Sequence, residues 1–295
     1  RHTGSSPASI PDKTPTVKTI TPSHPHAIRK EHDLYDTHWY DRPTPAVTTG
    51  STAIWTDSTG TVQAVDTQSG TTLWTHPLAT PVLGSPVVQD GLAYFAGGDG
   101  WVYCLDSSNG NLVWRWRGAP DDRMIMVYGK PMSSWPAISL LSKDGSLYGV
   151  AGLTQTLGSV IFSLDAKTGK PHWTTFVEPD FRSGSVLPAD AFNSAGELGI
   201  VGNKLWVRSD YLVGIFDTAS GERAPLPEGI APIWADEVGW YMSSLRNQGR
   251  EFIQITDDLI LQGGPPLFDD TAERRTKNKD FKAFSPTSDG NLEVV

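Results

Sequence analysis

Ala64-Val65-Asp66-Thr67-Gln68-Ser69-Gly70-Thr71-Thr72-Leu73-Trp74 is the stretch that decides the fold, because its spacing returns along the chain. Cys104-x-Asp106-x-x-x-Gly110-x-x-x-Trp114 and Ser163-x-Asp165-x-x-x-Gly169-x-x-x-Trp173 repeat it. A fourth copy, Ile215-x-Asp217-x-x-x-Gly221, keeps the acid and the glycine but has Pro225 where the tryptophan would fall. Fixed-offset repetition at periods of tens of residues marks an architecture of stacked equivalent units. Each residue type has a physical reason. An Asp at a strand end accepts hydrogen bonds from backbone N–H groups of the following turn. The Gly supplies a positive φ that bulky residues resist. The Trp begins or ends the outer strand and packs its ring over its neighbours, burying on the order of 150–250 Å².

Working outward, the phrase sits inside units of short strands. The second unit, about 85–116, is the clearest: strands at 92–96, 101–105 and 112–116 with turns at 97–100 and 107–110. Trp101, Tyr103 and Leu105 alternate there with Val102, Cys104 and Asp106, the period of two of a strand. The first unit spans about 44–74, with strands near 53–55, 62–65 and 72–74. The third covers about 135–176 and the fourth about 199–223. A degraded fifth echoes the second at 258–264 and again at 283–292, around a polar insertion at 265–280. Residues 1–43, rich in Pro, Thr and His, read as an extended lead-in with one strand near 16–20, and 44–295 as the repeat domain. The expectation is all-β: a β-propeller of four-stranded antiparallel blades, whose radial sheets bury their faces against one another.

Composition sets further bounds. The net charge of −9 argues against a sequence-independent grip on nucleic acid. The basic run 273–279 reads as a solvated loop. The one cysteine, Cys104, has no internal partner and occupies the small-residue position of the phrase, so it reads as core packing. No apolar stretch approaches the roughly 20 residues of a membrane helix. The chain begins with Arg1 rather than Met, so a signal peptide, if there was one, is expected to have gone already.

Propellers place ligands at the mouth of the central channel, and the segment 117–135 is by position a connection from an outer strand to the next inner strand. It gathers Arg117, Asp121, Asp122, Arg123, Tyr128 and Lys130 beside Trp135. One reading is a polar recognition loop with an aromatic platform for a sugar, a peptide or a quinone ring. The other is a structural insertion closed by an Asp122–Arg123 pair. Asp33, Asp36, His38 and Asp41 lie among three aromatics, but their spacing matches no metal-ligand pattern and reads as loop packing. Asp180, Arg182 and Asp190 are weaker acid–base candidates.

The repeated phrase resembles the tryptophan-docking motif of the quinoprotein (PQQ-like) β-propellers, over roughly residues 44–295. Asp99-Gly100-Trp101-Val102-Tyr103-Cys104-Leu105, Ala119-Pro120-Asp121-Asp122-Arg123 and Ser134-Trp135-Pro136 resemble secreted bacterial PQQ-binding-like repeat proteins. Members commonly carry seven or eight blades, so the resemblance implies that five units belong to a longer chain or a ring completed by other chains; a closed five-bladed ring is the alternative. Enzymatic members hold PQQ with Ca²⁺, an Asp base and often an adjacent-cysteine disulfide, for which a chain with one cysteine has no counterpart. Outer-membrane assembly factors of the wider family use the propeller as a binding platform. The resemblance therefore implies a periplasmic or extracellular binding or assembly module for a protein partner or a glycan, without a cofactor. Its alternatives are a quinoprotein-type oxidoreductase using PQQ and Ca²⁺ with site residues outside this chain, and a carbohydrate-active propeller.

Overall fold

The structure is a computed structural model and describes residues 46–57, 59–78, 80–82, 84–127, 130–152, 157–178, 194–209, 213–225, 251–256, 259–263, 282–286 and 292–294. Every regular element among them is a strand. The first sheet is β1 (Val47–Thr49), β2 (Thr52–Thr56), β3 (Thr61–Asp66) and β4 (Thr72–Pro77), hydrogen-bonded in chain order. The second is β5 (Val87–Gln89), β6 (Leu92–Ala96), β7 (Trp101–Asp106) and β8 (Leu112–Arg117). A two-stranded hairpin, β9 (Met124–Val127) and β10 (Lys130–Ser133), precedes the third sheet, β11 (Ala137–Lys143), β12 (Ser146–Ala151), β13 (Ser159–Asp165) and β14 (Pro171–Val177). The fourth is β15 (Ser194–Val201), β16 (Lys204–Ser209), β17 (Val213–Asp217) and the two-residue β18 (Arg223–Ala224). The fifth is β19 (Glu251–Thr256), β20 (Leu259–Gly263), β21 (Lys282–Pro286) and β22 (Leu292–Val294). All five are antiparallel meanders, as the spacing of turn residues predicts.

Alternation along each strand sends successive side chains to opposite neighbours. In the second sheet Ala93, Phe95, Tyr103 and Leu105 pack with Ile54, Val62, Ala64 and Trp74 of the first. Tyr94, Val102, Cys104 and Trp114 pack with Leu140, Leu147, Phe162 and Leu164 of the third. Tyr148, Val150, Ile161 and Trp173 meet Leu198, Ile200, Leu205 and Phe216 of the fourth in the same way. The core therefore lies between sheets rather than within one. Cys104 is buried in it, and burial with the nearby Asp106 pushes its thiol up to about 12. It is a packing residue.

The repeated phrase builds three things at once. Asp66, Asp106, Asp165 and Asp217 each turn Oδ1 onto the following turn and accept N–H bonds from Ser69, Ser108, Thr168 and Ser220 at 2.7–3.1 Å. The glycines carry φ values of 74° (Gly70), 75° (Gly110), 69° (Gly169) and 74° (Gly221), as expected. The tryptophans depart from the expectation. They sit as the third residue of β4, β8 and β14 rather than at an end, opposite Ala64, Cys104 and Ser163, and a register shift follows at once. Such an irregularity sharpens local twist, and the small opposing residue leaves the ring room.

Each ring reaches forward to the next sheet. Trp74 Nε1 donates to the Ser107 carbonyl at 3.0 Å, Trp114 Nε1 to Ala166 at 3.1 Å, and Trp173 Nε1 to Thr218 at 2.9 Å. A Cβ built on Gly110 would lie 2.5 Å from Trp74, and one on Gly169 2.6 Å from Trp114; Gly221 faces Trp173 alike. The glycine of one unit is thus the seat for the indole of the unit before it.

Candidate functional site

The 117–135 connection is anchored on the β6–β7 turn, whose geometry requires glycine. Gly100 has φ 85°, and a Cβ there would approach the Ala119 methyl to 2.5 Å. Its carbonyl accepts from the N–H groups of Gly118 and Ala119, the Gly98 carbonyl from Ser133, and the Gly97 carbonyl from Ala137. Asp99 in this turn accepts from the Trp101 N–H at 3.1 Å and the Tyr103 hydroxyl at 2.5 Å. Burial holds the Asp99 carboxyl above the usual carboxylate range, although those hydrogen bonds and Arg115 oppose it. Burial and the Asp99 contact likewise raise the Tyr103 hydroxyl.

Four of the seven sequence-predicted residues come together. The Arg117 guanidinium donates to the Asp121 carbonyl oxygen and stands 5.9 Å from the Trp101 ring centroid, beside Arg115 at 4.5 Å. Asp121 accepts from the Arg123 N–H at 2.8 Å and forms an ion pair with its guanidinium at 3.5 Å. That guanidinium lies 5.7 Å from the centre of the Trp135 ring. The partner of Arg123 is thus Asp121, not the Asp122 suggested by the loop-closing reading: the Oδ1 bond to the N–H two residues on makes Asp121 the Asx-turn residue. Asp122 is exposed. Trp135 is 7% exposed and donates Nε1 to the Leu157 carbonyl at 3.3 Å. It is a wall under the loop rather than an open platform. Lys130 lies in β10 opposite Val127.

Tyr128 lies outside the described residues. So do 16–20, the 33–41 cluster, Asp180, Arg182, Asp190 and the 273–279 run. Among the described residues no three His, Cys, Asp or Glu side chains are grouped to hold a metal ion.

The sequence reading missed the hairpin. Two four-residue runs, Met124–Val127 and Lys130–Ser133, flank a two-residue connection, which is a hairpin signal. Register places Met132 opposite Ile125 and Pro131 opposite Met126. Met132 is fully buried against the β6–β7 turn, whereas Met124 and Met126 are 49% and 68% exposed. The hairpin has an inner face that holds it down and an outer face of thioethers.

Meandering four-stranded sheets packed face to face, with indoles passed from one to the next, define a β-propeller of PQQ-like repeats. A family model, PQQ_2, described as outer membrane protein assembly factor BamB, matches residues 36–258, and the chain belongs to that family. It is 27% identical over 161 residues to the dehydrogenase subunit of a quinone alcohol dehydrogenase from Gluconacetobacter polyoxogenes, covering 47% of this chain and 21% of that relative. The quinohemoprotein alcohol dehydrogenase of Comamonas testosteroni superimposes with a TM-score of 0.53 at 15% identity, over 85% of this chain and 45% of that one. The enzyme ADHIIG of Pseudomonas putida HK5 gives 0.52 at 14%, over 85% and 40%. These two likenesses establish the fold. No helix among the described residues is long and apolar enough to cross a membrane.

Proposed function

We propose that this propeller is a binding or assembly module without chemistry of its own, working in the periplasm or outside the cell. Its contact face is the 117–135 connection, and its partner is a polypeptide. The observation that carries the reading is the amphipathic hairpin: Met132 is sealed inside while Met124 and Met126 project from the same small sheet. Thioether side chains adapt to irregular apolar surfaces, and exposed Asp122 and Arg123 supply the polar rim typical of an interface. Arg117, Asp121 and Arg123 serve this face by holding the hairpin in place rather than by reacting.

The test is a photo-reactive residue in place of Met126, with the native protein irradiated in its own cells. A polypeptide adduct that disappears in Met124→Asp supports the reading. No adduct, or binding on a glycan panel that Arg123→Ala abolishes, refutes it. The quinone alcohol dehydrogenase relative favours a second reading, an oxidoreductase using PQQ and Ca²⁺ with site residues elsewhere. Adding PQQ and Ca²⁺ and following absorbance and dye reduction separates the two, since only the oxidoreductase responds.

A further inference from the structure

The repeats are a built-in control for what the second sheet carries alone. At the stations of Trp101, Arg115 and Arg117 the first sheet has Thr61, Thr75 and Pro77, and the third has Val160, Thr174 and Phe176. Both of those sheets form without an arginine there, so the propeller itself does not require this cluster. Arg115 and Arg117 stand two residues apart on β8 and share a side of it. Their guanidinium carbons lie 4.5 Å and 5.9 Å from the Trp101 ring centroid, within reach of the negative face of the indole. Arg115 is exposed, and among the described residues no carboxylate lies within ion-pair distance of it. Asp99 acts on it only across space, because its oxygens are turned to the Trp101 N–H and the Tyr103 hydroxyl. Arg117 is held by the Asp121 carbonyl, yet its buried Nε–H has no hydrogen-bond acceptor among the described residues. From Arg117 the loop runs through Asp121 and Arg123 to the exposed Met124 and Met126. Residues 115–135 set Arg115, Arg117, Arg123 and Lys130 against Asp121 and Asp122, a local excess of positive charge on a chain of net charge −9.

We infer that Arg115 and Arg117, set beside the Trp101 ring, form a carboxylate seat for an Asp or Glu of the polypeptide that docks on the neighbouring hairpin, a reading that rests on the contact face proposed above. The segment recognised is then both acidic and apolar, with its acid on the arginines and its apolar side chains on Met124 and Met126. A guanidinium offers paired N–H donors that match the two oxygens of a carboxylate. Exposed ion pairs contribute little when two flexible side chains must be fixed to form them. Here the indole already holds one partner in place, so less freedom is lost on binding. A polyanion such as nucleic acid would meet the negative charge of the whole molecule. One acid among apolar side chains meets only the local positive excess.

The experiment takes the adduct formed by a photo-reactive residue at Met126, in the native protein in its own cells, and identifies the captured segment by mass spectrometry. The expected segment contains an Asp or Glu, and Arg115→Glu lowers the adduct yield about tenfold or more. Changing that acid to Lys restores the yield in the Arg115→Glu protein, which a misfolded variant would not allow. Thr75→Glu, exposed at the same station of the first sheet, leaves the yield unchanged. A captured segment without an acid, a full yield in Arg115→Glu, or a loss that the charge swap does not repair overturns the carboxylate seat and leaves the hairpin contact standing. An equal loss in Thr75→Glu overturns it as well. No adduct at all removes the contact face and the seat together.

Discussion

Gly70 and Gly110 occupy the same turn, with φ values of 74° and 75° and the same backbone hydrogen bonds, yet one faces open space and the other an indole. The pair separates two reasons for a glycine that usually coincide. One is local: the left-handed backbone, which any L side chain strains. The other belongs to the neighbouring sheet, whose ring needs the missing Cβ. At Gly70 only the first acts among the described residues; at Gly110 both do.

Truncating a seated indole has the largest expected effect and measures what such a handoff is worth. Trp114→Ala should cost about 3–5 kcal/mol in denaturant unfolding, the range for deleting a large buried aromatic. The change also leaves the Ala166 carbonyl to the Tyr94 hydroxyl alone, which donates to it at 3.1 Å. Next comes Gly110→Ala, at about 2–4 kcal/mol, because strain at positive φ adds to overpacking against Trp74. Gly70→Ala should cost about 1–2 kcal/mol, the conformational part alone. Equal losses at Gly70 and Gly110 in the 295-residue chain would erase the distinction.

The smallest effect is acid sensitivity. Hydrogen bonds from Ser108 hold the Asp106 carboxyl below its ordinary 3.8, and those from Thr168 do the same for Asp165. At Asp217 burial pulls upward, but the Ser220 and Ala219 N–H groups and Lys204 outweigh it, so this carboxyl also lies low. Groups depressed in the folded state stabilise it above their unfolded value. That contribution fades as pH falls through the folded value. Asp165→Asn should therefore lower the melting temperature slightly at neutrality and shallow its decline below pH 3.8, the two proteins converging in acid. A variant whose acid limb matches the parent's would show that the turn carboxylate contributes nothing measurable.

The five-sheet architecture was legible because the phrase is local. Asp106 and Gly110 do their turn work within a few residues, and spacing alone exposes it. The forward handoff of Trp74 to Gly110 was not, since it depends on which face of the next sheet arrives and how far along. At the candidate site, residue types pointed to Arg117, Asp121 and Arg123. They could not say which carboxylate takes the guanidinium, because Asp121 and Asp122 differ only in the direction the turn gives them. Trp135 read as a platform because burial is not written in a residue name. Met124 and Met126 escaped notice because methionine usually fills cores, and only their exposure in the folded hairpin shows them facing outward.

The forward reach of each indole also gives the assembly a polarity. Donor and acceptor belong to different repeats, so damage to either is felt across a boundary rather than inside the unit that changed. Natural variation should then couple a tryptophan to the glycine of its successor more tightly than to the glycine four residues before it. A repeat that loses its ring, as the fourth has at Pro225, frees the next one to drift from the pattern, and that next repeat is the most eroded of the five.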